Sequence, residues 1–386
     1  MELTGTITVA LVAGEASGDI LGAGLIREIR RHHPDARCYG IGGPLMEAEG
    51  FESLFPMERL SVMGLVEVLG RLRELLGIRK QLRQRFIADK PDIFMGIDAP
   101  DFNLVLERQL KDAGIATAHY VSPQVWAWRE GRLKKIKKSV DHMLALLPFE
   151  ADYYRGHDVP VTFVGHPLAD QIPMNPDQCQ ARQQLGVDQE VPVLALLPGS
   201  RKAEVSQLGP LFLATARLLA KDIPNVRFLI PCANERRKRQ LLPMLEEYPD
   251  LDITVYDRQA QPVMAASDAV LIASGTAVLE AALHKKPLVV SYKMAPLSFA
   301  IISRLVKVSH VALPNLLAKK ELIPELLQDD ATPEALRIAM LKALTDQEYR
   351  KVLEKEFTVM HQELQQDASK LAWNAIQSVM KSHIRK

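Results

Sequence analysis

Cysteine is scarce in this chain: Cys38, Cys179 and Cys232 are the three in 386 residues, they lie far apart, and no C-x-x-C pair occurs. That spacing suggests neither a disulfide framework nor a structural zinc site, so no metal is expected, and it suits a reducing compartment. Charge of one sign is scarce as well, 48 Lys and Arg against 47 Asp and Glu, a net +1. So balanced a chain has no bulk attraction for nucleic acid, and no nucleic-acid partner is expected. No apolar run is long enough to span a bilayer. The start, Met1-Glu2-Leu3-Thr4, passes straight into a strand-like run without the basic opening and apolar stretch of a secretory leader, which predicts a cytoplasmic protein. A Walker A sequence is missing, and Gly40-Ile41-Gly42-Gly43 lacks the spacing of a dinucleotide fingerprint. The serine of Gly14-Glu15-Ala16-Ser17-Gly18 stands fourth instead of third, so a hydrolase elbow is not indicated either.

What is present is an ordinary globular balance, 47% hydrophobic and 25% charged, over a length that exceeds what one core usually serves. Short β-type runs alternate with helical patterns: Ile7 to Val12, Ala36 to Ile41, Asp92 to Ile97, Ala116 to Val121, His142 to Leu147 and Val161 to Val164. The alternation breaks at Ile172-Pro173-Met174-Asn175-Pro176 and resumes with Val193 to Leu197, Val226 to Pro231, Ile253 to Tyr256, Ala269 to Ala273 and Leu288 to Tyr292. This predicts an α/β protein of two doubly wound, Rossmann-like domains, 1–172 and 173–332. Thr332-Pro333-Glu334 then reads as an N-cap with proline at the first helical position. Residues 333–386 are expected to be helices that pack across the domains or on a partner subunit.

Chemistry-bearing residues fall at strand ends. A strand that ends in a small-residue turn before a helix leaves unpaired N–H groups pointing outward, where anions and polar ligands bind. Glu15, directly after Val9-Ala10-Leu11-Val12, is placed in such a crevice, with Ser17 and Asp19 beside it as either ligands or helix caps. Asp98, in Gly96-Ile97-Asp98-Ala99-Pro100-Asp101-Phe102-Asn103, is the candidate general base, since a sugar hydroxyl needs a carboxylate to take its proton at neutral pH. Either Asp98 or Asp101 could instead cap the helix that follows Pro100. In Ser122-Pro123-Gln124-Val125-Trp126-Ala127-Trp128-Arg129, Ser122, Gln124, Trp128 and Arg129 combine aromatic faces with polar groups suited to a sugar and its hydroxyls or phosphate. The basic run from Arg132 to Lys138 that follows reads as a solvated helix face.

In the second half, Leu197-Pro198-Gly199-Ser200-Arg201, with Glu204 on the next turn, sets N–H donors and a fixed positive charge where a diphosphate could bind without metal. Ser274-Gly275-Thr276 opens another helix toward phosphate, and Glu280 can accept both hydroxyls of a ribose. Together these segments suit a nucleoside diphosphate, and two such domains facing one cleft suit a nucleotide-sugar glycosyltransferase. One stretch points to lipid instead. From Val62 to Leu76 a broad apolar stripe, including Val66, Val68, Leu69, Leu72, Leu75 and Leu76, is flanked by Arg71, Arg73, Arg79 and Lys80. It is expected to meet a membrane surface or acyl chains; a core helix would look similar.

Taken in order, Gly14 to Asp19, Gly96 to Asn103, Tyr120 to Pro123, Val125 to Arg129, Leu196 to Arg201 and Leu313-Pro314-Asn315-Leu316-Leu317-Ala318 resemble the lipid-A-disaccharide synthase family over nearly the whole chain. The resemblance implies a GT-B fold and a peripheral place on the cytoplasmic face of the inner membrane of a Gram-negative bacterium. The activity implied is inverting and metal-independent: 2,3-diacylglucosamine passes from its UDP derivative to 2,3-diacylglucosamine 1-phosphate, giving a β-1,6-linked disaccharide and UDP, with no cofactor. Read with the resemblance, the candidates are Asp98 as base, Ser200, Arg201, Glu204, Ser274, Gly275, Thr276, Glu280 and Asn315 for UDP, and Glu15, Ser17, Asp19, Ser122, Gln124, Trp128 and Arg129 for the sugars. A second copy of the chain is a further candidate partner. The alternatives are a UDP-sugar 2-epimerase of the same fold, which has no use for the apolar stripe, and a membrane-bound sugar-nucleotide sensor, which has none for Asp98.

Overall fold

The computed structural model describes residues 6–60, 65–128, 130–294 and 310–384, with 65–69, 127, 128, 130 and 384 by backbone alone. The chain forms two compact units, one of Met1–Asp170 with Leu364–Lys386 and one of Gln171–Glu363. The helices of 333–386, expected as a group of their own, are divided between them: Pro333–Thr345 and nearly all of Gln347–Leu364 lie in the second unit, Ala368–Ile384 in the first. Thr332 does cap its helix, accepting the N–H of Ala335, with Pro333 at the first position.

The first unit is built on β1 (Thr8–Ala13), β2 (Arg37–Ile41), β3 (Glu52–Ser53), β4 (Ile93–Ile97), β5 (Thr117–Tyr120), β6 (His142–Ala145) and β7 (Val161–Phe163). These pair in parallel in the order β3-β2-β1-β4-β5-β6-β7. The second unit orders β8 (Val193–Leu197), β9 (Arg227–Cys232), β10 (Ile253–Asp257), β11 (Ala269–Ala273), β12 (Leu288–Tyr292) and β13 (Glu325–Leu327) as β10-β9-β8-β11-β12-β13, again parallel. Parallel strands covered by helices on both faces are apolar throughout, as Val193-Leu194-Ala195-Leu196-Leu197 is, every residue buried.

In both sheets the winding reverses once, between β1 and β4 and between β8 and β11. At such a point the helices leave in opposite directions and open a crevice at the carboxyl ends of the strands. The motifs after β1 and β4, and those after β8 and β11, are therefore the ones the topology sets side by side within each unit.

The Leu65–Asp89 helix carries the expected lipid-facing stripe at its start. Its second half is core: Ile78, Leu82 and Phe86 pack with Tyr39, Phe94 and Leu106. Ahead of it, Leu72 and Leu76 are 43% and 45% exposed, and Leu75 is half-buried. The side chains of Val66, Val68 and Leu69, and all of 61–64, lie outside the described residues. The last helix, Ala368–Ile384, packs on Ala16–His32, where Trp373 is buried and stacks on His32 at 6.2 Å between ring centroids. Asp170 secures it by accepting the N–H groups of Asp367 and Ala368 at 3.0 and 2.7 Å.

Candidate functional site

At the reversal of the first sheet, β1 ends in Gly14 and Glu15 and β4 in Asp98 and Ala99. A Cβ on Gly14 would stand 3.0 Å from that of Ala99, so the two turns touch. Asp98 and Ala99 are both left-handed, with φ of 53° and 43°. For residues bearing a Cβ that conformation costs roughly 1–2 kcal/mol each, and such strain collects where a site dictates geometry. The Asp98 N–H donates to Tyr120 O at 2.8 Å, and Asp98 O accepts from Asn103 Nδ2 at 2.8 Å. Its carboxylate has no hydrogen bond among the described residues and caps nothing; Ala99 holds the N-cap position of Pro100–Lys111. Asp101 is no cap either: it is exposed and paired with Arg132 at 2.5 Å. Glu15 is half-buried at the N-cap of Ala16–His32, and Ser17 is exposed on its first turn.

Asp19 is 2% exposed, and its carboxylate accepts the N–H groups of Gly43, Leu45 and Met46 at 2.9–3.0 Å, so it builds the Pro44–Ala48 turn.

One strand over, the turn after β5 is again strained, with Val121 at φ 81° and the exposed Gln124 at 46°. Ser122 is buried with its hydroxyl 3.1 Å from Tyr154 OH, so it braces this turn from within. The brace continues through Glu150, which accepts Trp126 Nε1–H at 3.1 Å. Burial pushes the Glu150 carboxyl up to about 7 against the pull of its donors Trp126, Leu147 and Ser122. Sequence reasoning passed over Glu150; its signal was an acid just after strand β6 and Pro148, the same placement that singled out Glu15. The Trp128 side chain and Arg129 lie outside the described residues.

In the second unit, Gly199 (φ 113°) turns the chain out of β8, and Glu204 reaches back to accept the N–H groups of Ser200 and Arg201 at 3.0 and 3.1 Å. Glu204 also holds Arg201 Nη1 at 3.1 Å, while that arginine remains 63% exposed. Glu204 thus shapes the turn after β8, with Ser200 and Arg201 exposed and the carboxylate buried behind them. On the neighbouring β11, Ser274 donates its N–H to Ser291 O, and Gly275 caps Thr276–Leu283. A Cβ on Gly275 would meet no atom within 4 Å, so this helix start fronts open space. Glu280 sits on the second turn, held by Gln261, its carboxyl raised by burial. Tyr292, at the end of β12 and within electrostatic reach of Arg201 and Glu204, joins this group unannounced by any sequence pattern.

Asn315 is fully buried, and its side chain is hydrogen-bonded throughout: Nδ2 donates to Ile323 O and Glu325 Oε1, and Oδ1 accepts from the N–H groups of Leu322 and Ile323. It fixes the approach to β13.

Two doubly wound parallel units, each with polar groups gathered where its winding reverses, define a GT-B-like architecture. Solved structures agree: a UDP-GlcNAc 2-epimerase from Neisseria meningitidis bound to UDP-GlcNAc (TM-score 0.66, 14% identity, covering 97% of this chain and 100% of that one) and the glycotransferase of kitacinnamycin (TM-score 0.65, 16% identity, 97% and 99%) share the fold. A likeness at such low identity speaks of fold alone. The family model described as lipid-A-disaccharide synthetase matches residues 9–376, and the chain belongs to that family. Lipid-A-disaccharide synthases of Pseudomonas syringae pv. syringae and Pseudomonas putida are each 57% identical to it, over 97% of this chain and 97% and 99% of theirs. It is thereby a glycosyltransferase of lipid A biosynthesis acting on a sugar-nucleotide donor and a lipid acceptor, and the epimerase alternative keeps only a distant structural likeness.

Proposed function

We propose that this chain transfers 2,3-diacylglucosamine from its UDP derivative to the 6-hydroxyl of 2,3-diacylglucosamine 1-phosphate, with inversion and without metal. The observation that carries the reading is Asp98: a carboxylate held at the reversal of the first sheet on a strained turn, beside Glu15, with no hydrogen bond among the described residues. As base it takes the proton of the attacking hydroxyl while that oxygen bonds to the anomeric carbon and the bond to UDP breaks. The Arg201 guanidinium and the N–H groups opening Thr276–Leu283 receive the charge that develops on UDP. Glu280 accepts the ribose hydroxyls, and Glu15, Ser17, Gln124, Trp128 and Arg129 position the sugars. The exposed Leu72 and Leu76, with Leu75, Val66, Val68 and Leu69, meet the acyl chains at the cytoplasmic face of the inner membrane. No helix among the described residues is long and apolar enough to cross a membrane, which agrees with a peripheral attachment. A homodimer completes the proposal.

Asp98→Asn tests the reading. Turnover, followed as disaccharide and UDP by mass spectrometry, is expected to fall about a hundredfold or more with UDP affinity kept. Arg201→Ala should do the reverse, weakening UDP in calorimetry by about tenfold, the worth of one charge-assisted bond. Normal turnover by a folded Asp98→Asn protein would move the base to Glu15 or Asp101.

A further inference from the structure

Beneath the Asp98 turn lies a cluster that the chemistry above does not use. Asn103 and Glu107, one helical turn apart on Pro100–Lys111, and His119 of β5 are all 0% exposed. They converge on Gly96 of β4, which stands opposite His119 in the sheet. A Cβ on Gly96 would lie 2.3 Å from Glu107 Oε1 and 2.6 Å from Asn103 Cβ, so only glycine leaves them room. His119 Nδ1 and Glu107 Oε1 are 2.6 Å apart, and the Gly96 N–H donates to Glu107 as well.

A buried ionisable pair is a poor device for stability alone, because apolar residues of the same volume serve as well or better. This one also leaves Glu107 Oε2 and His119 Nε2 without a partner among the described residues. Asn103 connects it to the site. Its Nδ2 donates to Asp98 O at 2.8 Å and to Val12 O at 3.1 Å, tying the end of β4 to β1 across the reversal of the sheet. Left-handed residues with a Cβ persist only where the surroundings impose them. Among the described residues, the Asn103 amide is the side chain that hydrogen-bonds the Asp98 backbone.

We propose that Asn103, which crowds Gly96 together with Glu107, is a positioning residue that holds the left-handed Asp98–Ala99 turn through the Asp98 carbonyl and so aims the carboxylate. The proposal rests on Asp98 being the base, and the experiment separates the two. Asn103→Ser shortens the side chain so that it no longer spans both carbonyls. Its kcat is expected to fall ten- to a hundredfold, the scale of a small misplacement of a catalytic group, with KM for both substrates and UDP affinity within about twofold. In an Asp98→Asn background the same change should cost nothing further, since a residue acting only through Asp98 has nothing left to act on. Additive losses, or full kcat in the single variant beside an inactive Asp98→Asn, would overturn the positioning role and leave the base in place. Full activity of Asp98→Asn would overturn the base. Should Asn103→Ser fail to fold, Glu107→Gln takes its place in the same cycle. It keeps the side chain's shape, a loss of about threefold that vanishes beside Asp98→Asn supports the proposal, and an unchanged kcat overturns it.

Discussion

Glu150 titrates where the cell lives. A carboxyl that burial lifts from 4.5 to about 7 in the folded chain binds its proton more tightly there than in the unfolded chain. Stability is therefore full below about pH 4.5, declines as the pH climbs toward 7, and stays lower above it; the shift corresponds to as much as about 3 kcal/mol. Glu150→Gln keeps an acceptor for the Trp126 indole and removes the titration. Urea unfolding should show the variant close to the parent at pH 5 and more stable than it at pH 8; parallel pH dependence in the two proteins would refute the assignment. Single residues are where the sequence says least. Asp19 and Glu204 lie on the first turns of helices that follow strands, as ligand-binding residues do, and both accept backbone N–H groups. Residue type and spacing are the same for a ligand and for a brace, and only the direction of the side chain tells them apart.

Elements were more legible than residues. Each apolar run of the alternating pattern became a strand, because a parallel strand buried on both faces writes itself as an uninterrupted hydrophobic segment. The two that escaped notice, β3 and β13, are edge strands of two and three residues with Glu52, Ser53 and Glu325 among them, too short and polar to show a period. In the Leu65–Asp89 helix the period was plain while the environment was not, since a core face and a lipid face are equally apolar. The structure divides it by exposure, and the division can be tested. Replacing Leu72, Leu75 and Leu76 by Ser should release the protein from anionic liposomes in flotation with its melting temperature little changed. Leu82→Ser, four residues after the Ile78 that begins the buried half, should lower the melting temperature by several degrees through a loss of about 2–5 kcal/mol and leave flotation alone. If both sets melt early, the first half of the helix is core too.

At the scale of the molecule, the two-part division near residue 171 was visible in the proline-broken stretch Ile172 to Pro176, whereas the return of the last helix to the first unit was not. No local signal marks a helix as belonging to a sheet some 200 positions earlier; only the burial of Trp373, Ile376 and Met380 does. Removing residues 364–386 should therefore strike the first unit. Loss of that many buried large side chains exceeds the few kcal/mol by which domains are stable, so the shortened chain is expected to lose its low-denaturant baseline in near-ultraviolet circular dichroism; an intact two-unit melt would show the helix to be dispensable.

The same arrangement bears on how the protein is made. Synthesis runs from the amino end, yet the Ala16–His32 helix packs on Ala368–Ile384, which is made only after the whole of the second unit. The first unit to emerge is thus the last to be finished, and until then the seat of Trp373 against His32 and His33 stays bare on the nascent chain. The second unit, Gln171–Glu363, is by contrast one continuous stretch of chain.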